Sequence, residues 1–447
     1  MSTDTPGIPP ANRGLQVLLA VVASLTVVAL VAVGVIAFQR GGDSKNEAGN
    51  PAGSTPAAAL SDRDLAKLAH DRTKALQAGD EKAFIAPFAG DEQEAQRRVF
   101  RNLRRVPMAP GSAFRVVTSG GRLASSLGGP LKAELDVSFD HRIAGVDRAP
   151  VSEGYRWTVE RKTPSAPLTI TKVAGTPREK LLPSDPDTTL AYPAPWDLYD
   201  ELAVVRAGHV VLMSDITHVG ELRSARGALE KAGNDVLAAW QHDGPSDAKV
   251  AEGFAVVIEP DAKRGGSLYG TGRQAAHDDG LTVPMDAADN TAERVTAGAR
   301  LILHDTSTRV GKHEMVHGLL APLTRKSGAG EGPRSWLVEG IAEHLASTGD
   351  DDRGYHSALQ HTGFDGRLPD ELTFYSKDAQ RQAAHYELGR LAVKFLAEKY
   401  GARKALEFAA AQYGQPDGLE QQLRDATGLD KTAFEQQWAS YVRSTLR

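Results

Sequence analysis

The most restrictive feature of the sequence is an uncharged apolar run of 24 residues, Leu15–Phe38. As a helix it would be about 36 Å long, enough to cross a hydrocarbon core of roughly 30 Å. A buried helix of a soluble protein is rarely apolar on every side, as this run is. A cleaved signal peptide is the stronger alternative, but the run is longer than an h-region and no small-residue cleavage site follows it cleanly. The sequence therefore predicts an uncleaved, single-pass transmembrane helix.

The charges that flank this helix say little about its orientation. Arg13 precedes it, and Arg40 and Lys45 follow it, so the positive-inside rule favours neither side. The short N-terminal tail, residues 1–14, leaves nearly all of the chain after the helix, which favours export. We therefore expect a cell-membrane protein whose globular part is extracytoplasmic.

Composition excludes several classes of function. Of the 447 residues, 41% are hydrophobic and 24% are charged, which is sufficient for globular cores. A net charge of −5 gives no indication of a nucleic-acid partner. The chain contains no cysteine, so any metal must be bound by His, Asp and Glu side chains.

The first globular region combines helices with strands. Residues 39–58 are rich in Gly, Pro, Ser, Asn and Ala, which predicts a flexible linker. In residues 59–178 the apolar spacing is first helical and then, from about Ser112, has a period of two. This order predicts a small α+β domain. The order and length of its elements resemble the nuclear transport factor 2-like fold, which implies a cone-like domain that binds a ligand or mediates a dimer.

A second α+β domain is predicted over 196–447, after a proline-rich linker at 179–195. Its first part reads as a hairpin, a helix and further strands. The last of these strands, "RLILHD" at 300–305, is expected to offer its edge to an extended peptide. After Gly311 the pattern is almost entirely helical.

The segment "VGKHEMVHGLLAPL", 310–323, contains two histidines four residues apart. On a helix, His313 and His317 lie on one face and can both reach a single ion at about 2.0–2.1 Å. Glu314 lies about 100° around the helix axis from His313, so it can reach water beside the ion without binding the ion itself. This is the arrangement of the HExxH zinc motif, with the glutamate as general base.

A catalytic zinc ion needs a third protein ligand. The segment "SWLVEGIAEHLAS", 335–347, predicts a helix that carries Glu339 and Glu343 on one face. Carboxylates on a face that packs against another helix are costly unless a cation neutralises them. Either glutamate is therefore a candidate for the third ligand.

Together, "HEMVH" and "WLVEGIAEH" resemble the gluzincin metallopeptidases, the thermolysin and aminopeptidase N-like group with peptidase MA-like domains. The resemblance covers about 196–447 and implies a Zn²⁺ ion bound by His313, His317 and Glu339. It implies that Glu343 orients a ligand imidazole, with the role of third ligand as the alternative. The segment "AHYELG" is similar to the Y-x-x-G helix of that group, which implies that Tyr386 stabilises the oxyanion. His385 is a second candidate donor, and Tyr375 is a further one.

The sequence thus predicts a membrane-anchored zinc metallopeptidase that acts on peptide or protein substrates. The absence of a G-x-M-x-N run before the zinc helix favours an endopeptidase over an aminopeptidase. The alternative is a catalytically silent gluzincin-like binding or sensor protein whose first domain binds a ligand or partner. The intact Glu314 favours the enzyme, because a structural site needs no base.

Overall fold

The computed structural model describes residues 61–118, 124–125, 131–163, 166–178, 187–271, 279–288, 296–324, 332–347 and 353–446. The predicted N-terminal tail (1–14), transmembrane helix (15–38) and flexible linker (39–58) lie outside these residues. Within the described segments, none of the helices has the length and apolar character needed to span a bilayer.

The first part of the fold is a group of helices packed against an antiparallel sheet. Helix α1 begins where the Ser61 side chain accepts a hydrogen bond from the backbone N–H of Asp64, and it ends at Gly79, which has a φ of 72°. The sheet has the order β1–β3–β4–β5, and the short strand β2 pairs with β3. The elements are α1 (Asp62–Ala78), α2 (Glu81–Ile85), α3 (Asp91–Leu103), β1 (Ala113–Thr118), β2 (Ala124–Ser125), β3 (Leu131–His141), β4 (Val151–Arg161) and β5 (Thr169–Gly175).

The second sheet is mixed and has the order β6–β7–β8–β10–β9. Strands β6 and β7 form the predicted hairpin, β7 and β8 are parallel, and β8 and β10 are parallel. The long helix α5 makes the crossover between β7 and β8. The elements are α4 (Pro195–Leu198), β6 (Leu202–Ala207), β7 (Val210–Asp215), α5 (Val219–Asp243), β8 (Phe254–Ile258), α6 (Ala262–Ser267), β9 (Gly280–Asp286) and β10 (Thr296–Leu303).

The expectation that "RLILHD" offers a free edge is wrong. This segment lies largely in β10, which is hydrogen-bonded to β8 on one side and to β9 on the other. The strand at this end of the sheet is β9, which precedes β10 and runs antiparallel to it. A continuous apolar strand reads the same in sequence whether its edges are paired or open, so only the strand order could decide this point.

The second sheet is buried on both faces and packs against the helices of the second part on one face and against the first part on the other. In β7, Val210 and Leu212 pack with the helices of the second part, whereas Val211 and Met213 belong to the core of the first part. Arg300 of β10 makes two hydrogen bonds, of 2.7 and 2.9 Å, to the carboxylate of Asp147 across this junction. The predicted α+β class is confirmed, with the two sheets sharing one apolar layer.

The described residues after the second sheet are mostly helical, as predicted, apart from connecting segments such as 363–378. Two of these helices cross with almost no space between them, because Gly340 of α8 faces Gly389 of α10. A Cβ atom on Gly340 would lie 2.4 Å from the carbonyl oxygen of Gly389. The helices are α7 (Thr308–Leu320), α8 (Ser335–Ala346), α9 (Arg353–Thr362), α10 (Ala379–Tyr400), α11 (Ala402–Gly414), α12 (Leu419–Thr427) and α13 (Lys431–Thr445).

The glycine contact yields a test of the helix crossing. Gly340→Ala and Gly389→Ala should each lower the free energy of unfolding by at least about 1–3 kcal/mol, because the added methyl group meets backbone atoms that cannot rotate away. Gly227→Ala in α5 is the matched control, since a Cβ there meets nothing within 4 Å. It should be neutral or stabilising by up to about 1 kcal/mol. Urea unfolding followed by circular dichroism measures all three, and equal effects at the three sites would contradict the crossing.

Candidate metal centre

Helix α7 brings the two histidines of the HExxH segment together. The Ser307 side chain caps the helix by accepting from the N–H of Val310, and the helix runs through the whole segment. His313 and His317 are buried, and their Nε2 atoms lie 2.9 Å apart. Both nitrogens therefore face the same point in space, as the four-residue spacing predicts.

Helix α8 adds a carboxylate to this pair. Glu339 is fully buried, and its Oε2 lies 3.3 Å from Nε2 of His313 and 3.5 Å from Nε2 of His317. Oε2 has no hydrogen-bond partner among the residues that the structure describes. Four-coordinate zinc with bonds of about 2.0–2.1 Å holds its ligand atoms roughly 3.3–3.4 Å apart. The three atoms therefore fit a common ion, and this cluster could hold a metal.

Glu343 lies behind this cluster. Its Oε1 is 3.1 Å from Nδ1 of His313, at ion-pair distance but without the alignment of a hydrogen bond. Its Oε2 accepts from Arg309 at 2.6 Å. A carboxylate on the nitrogen that faces away from the ion fixes the orientation of a ligand imidazole. The geometry therefore favours Glu339 as the ligand and Glu343 as its support.

The cluster is electrostatically coupled. Burial by itself lowers the pKa of His313, but Glu339 and then Glu343 outweigh it and raise that pKa to about 10. Burial raises the pKa of Glu339, but the neighbouring His317 and His313 bring it below its ordinary value. A cation bound by His313 would have to displace its proton, since a ligand imidazole must be neutral.

Glu314 lies next to the cluster and is fully buried. Its Oε2 accepts a hydrogen bond of 2.7 Å from the hydroxyl of Thr282 on β9. Its Oε1 has no hydrogen-bond partner in the described part of the chain. One oxygen of this carboxylate is therefore held while the other is available to a proton.

The three remaining candidates, Tyr386, Tyr375 and His385, make different contacts around the cluster. The ring of Tyr386 is nearly parallel to that of His313, with 6.4 Å between the centroids. The hydroxyl of Tyr375 donates to Oε1 of Glu339 at 3.0 Å. His385 donates from Nδ1 to the carbonyl oxygen of Phe374 at 2.8 Å. Burial first, and then Glu339, raise the pKa of both tyrosines well above the ordinary value, so both phenols keep their protons.

A cavity of about 1220 Å³ adjoins the cluster. It lies between the N-terminus of α8, the segment that joins α9 to α10, and α13. The ligand atoms of the cluster do not line it, but Ser335, Tyr375 and His385 do. Tyr375 therefore contacts both the cavity and a candidate metal ligand.

Sequence reasoning missed Thr282 and Arg309, and it considered Tyr375 only as a candidate oxyanion donor. Thr282 lies in "GLTVPMD" and Arg309 in "TSTRVG", where no motif marks either residue. Their contacts to Glu314 and Glu343 arise from separate elements that the fold brings together. Local spacing gives no signal for such contacts.

Comparison with protein-family models, with curated proteins and with solved structures finds no match to this chain. The chemistry of the site therefore has to be inferred from its own residues.

The geometry yields a ranking of the metal ligands. His313→Ala, His317→Ala and Glu339→Ala should each abolish stoichiometric zinc binding, because each removes one of three ligand atoms. Glu343→Ala should retain zinc but weaken it by about 10–100-fold, the usual effect of losing an orienting carboxylate. Elemental analysis and chelator competition measure both effects, with His242→Ala, at an exposed site, as the control. A larger loss from Glu343→Ala than from Glu339→Ala would exchange their roles.

Proposed function

We propose that this protein is a membrane-anchored zinc metallopeptidase that hydrolyses peptide bonds. One observation carries the proposal: ligand atoms of His313, His317 and Glu339 lie 2.9 to 3.5 Å apart beside a buried Glu314. Within the described residues, Oε1 of this glutamate has no hydrogen-bond partner. A structural metal site needs three or four ligands but has no use for a neighbouring base.

Each residue then has a defined role. Zinc held by the three ligands would supply Lewis acidity, which polarises the substrate carbonyl and lowers the pKa of water. Glu314 would accept a proton from the attacking water at Oε1 and deliver it to the leaving amine. Tyr386 would donate a hydrogen bond to the carbonyl oxygen as negative charge develops there, with His385 as a second donor.

The surroundings of the site favour a polypeptide substrate. The ligand atoms do not line the adjoining cavity of about 1220 Å³, but Tyr375, which contacts Glu339, does, so the cavity would hold a substrate segment that extends beyond the cleaved bond. Strand β9 ends the sheet beside α7, the position from which a strand can pair with an extended peptide. These features support an endopeptidase, which must bind substrate on both sides of the cleaved bond.

The decisive test is Glu314→Gln. This variant should keep its fold and its zinc but lose about 10²–10⁴-fold in kcat, because the amide is not a proton acceptor of comparable strength. The measurement is turnover of a fluorogenic peptide library by purified protein, with zinc content determined in the same samples. Glu407→Gln on α11 changes an exposed glutamate in the same way and should leave turnover unchanged.

Two outcomes would overturn parts of this proposal, the first the role of Glu314 and the second the enzymatic function. Full activity in the Glu314→Gln variant would assign the base to another residue. Stoichiometric zinc without turnover of any peptide by the unaltered protein would favour the alternative, a gluzincin-like binding or sensor protein.

We also propose that the apolar run at 15–38 anchors the protein in the cell membrane, with the folded part outside the cytoplasm. The run precedes both sheets in the sequence, so the two sheets would share one side of the bilayer. Protease added to intact cells should then remove a C-terminal tag and the folded part. Protection of the tag until the cells are lysed would reverse the orientation. Release of the intact protein from isolated membranes by alkaline carbonate would exclude the anchor.

A further inference from the structure

Two of the glutamates at the site, Glu314 and Glu339, share an arrangement that their motifs do not require. In each carboxylate one oxygen accepts a hydrogen bond from a hydroxyl group. Thr282 donates to Oε2 of Glu314 at 2.7 Å, and Tyr375 donates to Oε1 of Glu339 at 3.0 Å. The opposite oxygens, Oε1 of Glu314 and Oε2 of Glu339, have no hydrogen-bond partner in the segments that the structure describes.

Strand β9 builds the support of Glu314. Thr282 is 2% exposed and pairs with Leu301 of β10, so its backbone position is fixed by the sheet. Its hydroxyl also lies 3.1 Å from the carbonyl oxygen of Glu314. A hydroxyl has one proton, and the carboxylate is the closer and stronger acceptor. The rotation of the Glu314 carboxylate is therefore set by a residue outside α7.

Gly280 provides the space that this orientation needs. It lies two residues before Thr282, on the same face of β9. A Cβ atom at this position would lie 2.9 Å from Cγ of Glu314 and 3.2 Å from its Oε1. The strand thus holds one oxygen with a hydroxyl and leaves room for the other.

Tyr375 plays the corresponding part for Glu339. Its ring packs edge-on against Phe374, with 5.0 Å between the centroids, in the segment between α9 and α10. Because its hydroxyl occupies Oε1, the other oxygen is the one that lies 3.3 and 3.5 Å from the two histidine Nε2 atoms. The phenol therefore holds Oε1 while Oε2 is directed at the two histidines.

We propose that Thr282 and Tyr375 are positioning residues with separable functions. Thr282 orients the general base Glu314 and so affects the rate of the chemical step. Tyr375 orients the ligand Glu339 for binding through one oxygen and so affects the affinity for the metal. The role of Thr282 rests on the proposed peptidase function, whereas that of Tyr375 requires only that the cluster binds a metal.

The experiment compares Thr282→Val and Tyr375→Phe in the full-length protein, since each eliminates one hydroxyl group with little change in side-chain volume. The zinc dissociation constant is measured by chelator competition, and kcat and KM are measured on one cleavable peptide at saturating zinc. Thr282→Val should lower kcat by about 10–100-fold, the effect of losing a hydrogen bond to a charged group, with zinc affinity unchanged. Tyr375→Phe should weaken zinc binding by about 10–100-fold, the usual effect of losing a group that orients a metal ligand.

Conservative and distant variants serve as controls. Thr282→Ser keeps the hydroxyl and should restore most of the kcat lost in Thr282→Val. Thr296→Val removes a buried hydroxyl at the opposite end of the β9–β10 pair, and Tyr400→Phe removes one beside Gln437. Neither control should alter kcat or zinc affinity. Thermal unfolding shows whether each variant is folded.

The outcomes separate the two roles from each other and from the proposed function. Weaker zinc binding in Thr282→Val, an unchanged kcat, or no rescue by serine would overturn the role of Thr282. Unchanged zinc affinity in Tyr375→Phe would overturn the role of Tyr375. If the unaltered protein cleaves no peptide, the proposed function and the role of Thr282 both fall, while the zinc measurement still decides the role of Tyr375.

Discussion

The site depends on the contact between Gly340 and Gly389, where helices α8 and α10 cross backbone to backbone. Gly340 directly follows Glu339, and Gly389 lies one helical turn after Tyr386. A side chain at either glycine would push the helices apart and move the candidate ligand away from the candidate oxyanion donor. The close packing of the two helices therefore explains why "WLVEG" and "YELG" contain glycine at these positions, whatever reaction the site performs.

The doubly buried sheet supplies the rigid base for this arrangement. Strand β10 leads directly into α7, and its neighbour β9 provides the hydroxyl that holds Glu314. The first part of the fold covers the opposite face of the same sheet and is tied to it by the buried pair of Arg300 and Asp147. Because an unpaired buried charge is costly, this pair favours one register of the two sheets against each other. The first part thus belongs to the structural support of the site.

The cluster itself illustrates how buried charges are balanced. Two imidazoles face the carboxylate of Glu339, and a second carboxylate, Glu343, lies behind His313 with Arg309 beyond it. Burial alone would favour the neutral form of each group, yet His313 has a raised pKa and Glu339 a lowered one. The ligand atoms of this cluster could hold a cation, and this complementarity supports the proposed metal.

The sequence by itself determined what depends on local spacing. This covers the helical face shared by His313 and His317, the helical face shared by Glu339 and Glu343, the β-hairpin and the α+β class. These follow because helix and strand periods are set within a few residues. The tertiary structure alone decided that β10 is an interior strand. The fold places Glu339 towards the histidines and Glu343 behind them, which the resemblance implied but the helical spacing left open. It also brought Thr282 and Tyr375 to the two carboxylates. Strand order and contacts between distant elements arise from packing of the whole chain, so no local pattern encodes them.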